Sequence, residues 1–113
     1  MVYAGFSLGS VAAQALTQGR PGAVGALLYH RGAAPRWFPE PWPSHVPVQI
    51  HATENDPWVD LEECAELAAA APRAELYIYP GTAHLFADPD SGEYEPEAAG
   101  LLLERSLDFL ATL

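Results

Sequence analysis

The chain has 113 residues, half of them apolar, with one cysteine and fifteen acidic side chains against five basic ones. The apolar half supports a hydrophobic core, which excludes a disordered tail, and we expect one domain or part of one over residues 1–113. A net charge of −10 repels phosphate backbones and anionic lipids, so neither nucleic acid nor a membrane surface is an expected partner. Cys64 has no disulfide partner, and no secretion signal or segment of about 20 apolar residues occurs. We therefore expect a soluble, cytoplasmic protein.

Apolar segments of strand length alternate with segments of helical pattern along the whole chain. The strand-like segments are 2–5, 23–29, 46–51 and 75–79, and the helical ones are 8–18, 60–71 and a closing helix from Pro96. Continuous apolar strands separated by helices indicate a parallel sheet covered on both faces, because parallel neighbours need crossover connections. The predicted fold class is α/β, with about four mostly parallel strands.

The two later helices have recognisable ends. Asp60 is placed to cap the helix 60–71, and Glu63 occupies the capping-box position three residues later. Pro96 is suited to the first position of the last helix. One apolar stripe of that helix is predicted to contain Leu102, Phe109 and Leu113.

The segment 31–47 interrupts the alternation with five prolines interleaved with aromatic residues. Proline removes amide donors and the aromatic rings supply apolar area, so the segment could wall a pocket at the carboxyl edge of the sheet. The candidate pocket residues are Trp37, Phe38, Trp42 and Trp58. The alternative is a rigid surface loop that packs on its own core.

The first residues that indicate chemistry form a G-x-S-x-G motif, Gly5 to Gly9, between the first strand and the first helix. A serine on such a sharp turn has a strained backbone, and its neighbours two positions away must lack bulk, as both glycines do. The motif predicts Ser7 as a nucleophile, with the Leu8 amide donating to the oxyanion. The alternative is an ordinary strand-to-helix turn that contains a serine.

A serine hydroxyl needs an imidazole to accept its proton. Of the four histidines, His84 is the preferred candidate because it follows the strand 75–79 and emerges at the same sheet edge as the serine. His30 and His51 also end strands, but we expect them to pack or hydrogen-bond locally, and His45 lies in the proline-rich segment. No histidine pair has the spacing of a zinc site, so we expect no metal and no other cofactor.

A carboxylate should hold the imidazole in the correct tautomer. Asp56 follows the strand 46–51, and Pro57 prevents a helical continuation at that point. Glu54 is the nearest rival, whereas Asp60 is better used as a helix cap. We favour Asp56 over Glu54.

Ser7, Asp56 and His84 follow three different strands in the chain order that distinguishes α/β-hydrolases. With its flanking segments, this pattern resembles the dienelactone hydrolase family over nearly the whole chain. The segments that carry the resemblance are 5–9, 51–57 and 79–86. The resemblance implies an α/β-hydrolase fold without a large cap domain, and hydrolysis of a carboxylic ester or lactone.

Two departures from the family pattern bear on the substrate. The founding members have a cysteine nucleophile, whereas this sequence has Ser7. They also hold a substrate carboxylate with an arginine shortly after the catalytic histidine, where this sequence has Asp88. Together with the net charge of −10, these departures predict a neutral ester or lactone as the small-molecule substrate.

The serine motif lies near the middle of the chain in this superfamily, whereas here it begins at residue 5. We therefore expect the C-terminal half of the fold, and weak activity at best, because the second oxyanion donor comes from a loop that precedes the motif. The alternative is a non-catalytic α/β module that keeps the serine turn as a relic. Such a module would bind a partner through the exposed first strand or through the surface formed by Trp37, Phe38 and Trp42. A second copy of the chain, in a homodimer, is one such partner.

Overall fold

The computed structural model describes all residues from 1 to 113. The elements in chain order are β1 (Val2–Phe6), α1 (Leu8–Gly19), β2 (Gly25–Tyr29), one 3₁₀ turn (Pro35–Trp37), β3 (Val48–Thr53), α2 (Leu61–Ala70), β4 (Ala74–Tyr79) and α3 (Pro96–Ala111). The four strands form one sheet in the order β1-β2-β3-β4, and every neighbouring pair is parallel. The predicted α/β class is confirmed. None of the three helices has the length and apolar character needed to cross a bilayer.

The third strand begins and ends two residues later than the sequence pattern predicts. Val46 is buried, but its amide donates to the Pro43 carbonyl in a turn, and Pro47 has no amide to contribute to a sheet. At the other end, Ala52 and Thr53 continue the pairing with β4. The strand therefore reaches two residues further toward the carboxyl edge.

Two hydrophobic clusters cover the two faces of the sheet. One cluster contains side chains of α1 and α2 together with those of β2 and β3. The other contains side chains of α3, β2 and β4, and Phe86. Every residue of β2 and β3 is buried, as expected for central strands of a parallel sheet with helices on both faces.

The helix ends agree with the prediction in part. Asp60 caps α2 by accepting hydrogen bonds from the amides of Glu62 and Glu63. The predicted capping box is wrong, because the Glu63 carboxylate instead accepts bonds from the proline-rich segment. In α3, Leu102 and Phe109 are buried as predicted, whereas Leu113 lies beyond the end of the helix and is 45% exposed.

One row of rings crosses the sheet on the α3 side. Phe6, Tyr29, His51 and Tyr77 are partners in the strand register, one from each strand. Successive rings are stacked, with centroid distances of 4.6, 5.3 and 5.5 Å. Cross-strand aromatic pairs stabilise a sheet, and this row joins all four strands close to their carboxyl ends.

The motif glycines differ in what they contact. A Cβ atom on Gly5 would lie 2.2 Å from the carbonyl oxygen of Gly9, so only glycine fits where β1 and α1 come close. A Cβ atom on Gly9 would meet no atom within 4 Å. The expectation that both positions must lack bulk is therefore right for Gly5 and wrong for Gly9.

We predict that Gly5→Ala lowers the free energy of unfolding by about 3 kcal/mol, because the new methyl group is forced against backbone. Gly9→Ala is the matched control. It should leave stability unchanged or raise it by up to about 1 kcal/mol, because alanine favours the helix. Urea unfolding of both variants measures the difference, and equal midpoints would contradict the packing argument.

Candidate active site

Ser7 lies on the turn between β1 and α1 with φ 55° and ψ −117°, a conformation that non-glycine residues rarely adopt. Hydrogen bonds from neighbouring elements hold it there. The Ser7 amide donates to the carbonyl of Tyr29 at 2.7 Å, and the Ser7 carbonyl accepts from the hydroxyl of Ser10 at 2.7 Å. The strained turn that the motif predicts is thus present, and it is fixed by β2 on one side and α1 on the other.

His84 reaches the serine from the loop that follows β4. Its Nε2 atom lies 2.5 Å from the Ser7 Oγ atom, although the two residues are 77 positions apart in the chain. Two contacts hold this loop. The Thr53 hydroxyl donates to the Ala83 carbonyl at 2.6 Å, and the His84 amide donates to the Glu93 carboxylate at 2.6 Å.

Asp56 completes the arrangement. Its Oδ2 atom accepts a short hydrogen bond from His84 Nδ1, and its Oδ1 atom accepts one from the Trp58 amide at 2.8 Å. The carboxylate of Asp56 is fully buried. Glu54, the rival candidate, is exposed. Of the two acids, the structure brings Asp56 to the imidazole.

The three side chains form a hydrogen-bonded line that can move a proton. A carboxylate only accepts hydrogen bonds, so His84 Nδ1 carries the hydrogen that faces Asp56. His84 Nε2 is then free to accept the proton of the Ser7 hydroxyl. Leu8 is the first residue of α1, and the first amides of a helix have no partner within it. The Leu8 amide therefore has a free hydrogen beside the serine.

The other histidines lie outside this line. His51 packs within the sheet, with Nδ1 2.7 Å from the Tyr79 hydroxyl and Nε2 2.7 Å from Gln49 Oε1, as predicted. His30 is also buried, with its ring edge-on to Phe86, but neither of its nitrogens has a hydrogen-bond partner. Burial lowers the pKa of His51 to about 3 and the pKa of His30 to about 4. His45 is exposed, and no group of three or more His, Cys, Asp or Glu side chains is arranged to hold a metal ion.

The predicted aromatic pocket does not form. Trp42 is buried in the hydrophobic cluster shared with α1, and its Nε1 atom donates to the Val46 carbonyl, so its assignment to a substrate pocket is wrong. Trp37 is exposed and donates to the Glu63 carboxylate of α2 at 2.7 Å. Phe38 is half-buried and Trp58 is exposed, and neither lines a cavity. The proline-rich segment therefore packs against the rest of the protein, as in the second interpretation.

A cleft of about 300 Å³ lies instead among residues that include the chain neighbours of Ser7 and His84. Its lining residues are Phe6, His30, Leu85, Ala87, Asp88 and Pro89. Of these, only Asp88 is expected near the substrate from the sequence. A signal was available, since Phe6 precedes the serine and Leu85 follows the histidine, so both must lie beside the reacting atoms.

The buried histidines predict a specific loss of stability in mild acid. Each folded-state pKa lies below the ordinary value of about 6.5, so the unfolded chain takes up protons first as the pH falls. Between pH 7 and pH 5 each histidine should remove about 2 kcal/mol from the free energy of unfolding. Urea unfolding across this range measures the loss. The His30→Asn variant should show about half of the parent's loss of unfolding free energy. A parent protein that is equally stable at pH 7 and pH 5 would contradict the neutral, buried state of both histidines.

Comparisons with known proteins show the family and the fold of this chain. The model of the dienelactone hydrolase family matches residues 1–113. A protein of Azospirillum brasilense named "Putative carboxymethylenebutenolidase" is 35% identical over 66 residues, which cover 56% of this chain and 29% of that protein. The solved structure of a "Putative Dienelactone Hydrolase" from Klebsiella pneumoniae matches in fold, with a TM-score of 0.79 and 19% identity, over 99% of this chain and 52% of that one. This chain thus spans about half of that structure and less than a third of the curated relative. Because the family model matches its whole length, the chain belongs to the dienelactone hydrolase family.

Proposed function

We propose that this protein is a serine hydrolase that cleaves a neutral carboxylic ester or lactone with Ser7, His84 and Asp56. The observation that carries the proposal is the hydrogen-bonded line from the Asp56 carboxylate through the imidazole to the serine hydroxyl. Membership in the family supports a hydrolase function. The strained backbone of Ser7 adds support, because such strain is found where a side chain must be held for chemistry.

The proposed reaction has two stages. In the first, Ser7 Oγ attacks the carbonyl carbon while His84 Nε2 takes its proton, and the Leu8 amide stabilises the negative oxygen. His84 then donates this proton to the leaving alcohol, and the acyl group remains on Ser7. In the second stage, water gives a proton to His84 as it attacks the acyl carbon. His84 then returns this proton to Ser7 Oγ as the bond between Oγ and the acyl carbon breaks, which releases the acid and restores the serine. Asp56 stabilises the protonated imidazole in both stages.

The single cysteine is not placed to act as nucleophile. Cys64 is fully buried in α2, and its Sγ atom lies 3.5 Å from the Gly32 carbonyl. Burial raises the pKa of this thiol to about 11, so it stays protonated at neutral pH. The chemistry therefore falls to Ser7, which distinguishes this chain from family members that use cysteine.

Charge supports the choice of a neutral substrate. Asp88 lines the cleft beside the reacting residues, and the net charge of the chain is −10. A carboxylate at the rim repels an anionic substrate at short range, and the overall field repels it at longer range. The proposed substrate is accordingly an uncharged ester or lactone.

The 113-residue chain should turn over slowly when taken alone. The fold's second oxyanion donor comes from a loop that precedes the serine motif, and this chain spans about half of the solved structure that it resembles. Loss of one such donor typically lowers the rate by about 10²–10³. We propose that the oxyanion is held mainly by the Leu8 amide in this chain.

A second candidate function follows from the edge of the sheet. β1 pairs with β2 alone, so its other side has unpaired backbone groups, and Met1 and Phe6 are 69% and 56% exposed. An uncovered strand of this kind can pair with another chain. The alternative is a binding module that forms a homodimer through β1.

We predict that a fluorophosphonate probe labels the purified chain slowly at Ser7. Ser7→Ala should abolish labelling, whereas Ser44→Ala, at an exposed serine of the proline-rich segment, should leave it unchanged. Labelling followed by mass spectrometry of the modified peptide measures both. No labelling, together with a stable dimer in sedimentation, would favour the binding module, and rapid labelling would contradict the expected weakness of the chain.

We also predict that Asp56→Asn lowers kcat for a neutral ester by about 10⁴, because an amide in place of the carboxylate favours the wrong imidazole tautomer. Glu54→Gln is the matched control in the same loop, and it should stay within about threefold of the parent because Glu54 is exposed. Steady-state hydrolysis of p-nitrophenyl butyrate measures both variants. Equal losses in the two would remove Asp56 from the proposed mechanism.

A further inference from the structure

His30 combines two features that are costly in a folded protein. It ends β2 with φ 68°, one of only two non-glycine residues with a positive φ, the other being Ser7. It is 1% exposed, and its two ring nitrogens are the buried side-chain polar atoms that have no hydrogen-bond partner. Buried polar groups are nearly always paired, and backbone strain concentrates at functional sites, so this residue calls for an explanation.

The position of His30 suggests what that explanation is. Its ring centroid lies 6.0 Å from that of His84, and it lines the cleft of about 300 Å³ beside the proposed triad. Phe6 and Leu85, the chain neighbours of the nucleophile and the base, form walls of the same cleft. A substrate whose ester carbonyl lies at Ser7 can therefore extend a neighbouring group into this cleft.

The chemistry of the cleft narrows the kind of group that fits. A neutral imidazole offers one donor and one acceptor, and burial keeps His30 neutral. A hydroxyl can pair with either nitrogen, since it both donates and accepts, whereas a carbonyl can pair only with the N–H. The other walls are mainly apolar, and Asp88 disfavours a negative charge. An uncharged hydroxyl on a short carbon chain matches all these features.

We propose that His30 is a specificity-determining residue that hydrogen-bonds a hydroxyl group of the substrate close to the scissile bond. The inference rests on the proposed hydrolase function and narrows its substrate class to hydroxylated esters or lactones. Both ring nitrogens of His30 are covered by neighbouring residues, so a wall residue must move to admit the hydroxyl. Phe6 is suited to this movement, because it is 56% exposed and its ring lies 5.8 Å from that of His30.

The test compares kcat/KM for p-nitrophenyl 3-hydroxybutyrate and p-nitrophenyl butyrate. The parent protein should prefer the hydroxylated ester by about tenfold, the effect of one net hydrogen bond. His30→Phe keeps an aromatic ring and removes both nitrogens, so the preference should fall to about onefold. His30→Asn tolerates a positive φ and keeps a donor and an acceptor, so it should retain part of the preference. His45→Phe, the same change at an exposed histidine, should retain all of it.

A preference that is absent from the parent, or equal in the parent and in His30→Phe, would overturn the proposal.

A second measurement does not depend on turnover or on folding of the variants. Addition of 3-hydroxybutyramide to the parent protein should shift the ¹⁵N resonances of the His30 ring, whereas butyramide should not. A shift without ester hydrolysis would contradict the hydrolase function and support the His30 site. Hydrolysis with no shift and no preference for the hydroxylated ester would support the hydrolase function and contradict the His30 site.

Discussion

The parallel pairing of four adjacent strands is the constraint on which the candidate site depends. Because all four strands run in the same direction, the segments that follow β1, β3 and β4 leave the sheet at the same edge. Residues 7, 56 and 84 thereby meet although they are far apart in the chain. An antiparallel neighbour would send one of these segments to the opposite edge. Strand direction therefore has more influence on the site than any single side chain within it.

Backbone hydrogen bonds set the finer position of the nucleophile. The amide of Ser7 donates to the carbonyl of Tyr29 in β2, so the turn is attached to the neighbouring strand as well as to its own helix. The close approach of Gly5 and Gly9 brings β1 and α1 together at the same point. The strain at Ser7 is thus supported by contacts within the protein itself.

The sequence predicts the strands and the meeting of the Ser7, His84 and Asp56 side chains, because these features depend on local pattern and chain order. Strand ends are displaced by at most two residues, and the choice of Asp56 over Glu54 rests on Pro57, whose effect on the preceding residue is local. The proline-rich segment is harder to predict, because whether an aromatic ring lines a pocket or fills a core depends on distant contacts. Trp37 donates to Glu63, 26 residues away in the chain, and Trp42 belongs to a cluster that also contains side chains of α1, α2, β2 and β3.

His30 shows a different limit. Its sequence context, a histidine at the end of an apolar strand, equally fits a well-paired core residue such as His51. Only three-dimensional packing reveals that one histidine has two partners and the other has none. Pairing of buried polar atoms is a property of the assembled core, and the spacing of residues in the chain does not predict it.

The segment that carries His84 has a further consequence for how the protein responds to heat. Between β4 and α3 the chain forms no regular element, and it is held by a few contacts, among them the Glu93 carboxylate on the His84 amide and the Glu95 amide on the Phe86 carbonyl. Such a segment can open locally at a much lower free-energy cost than the sheet. Opening would separate the imidazole from the serine while both hydrophobic clusters of the sheet persist in large part. On heating, activity would then be lost before the circular dichroism signal of the folded protein. Amide hydrogen exchange would be faster around His84 than in the sheet.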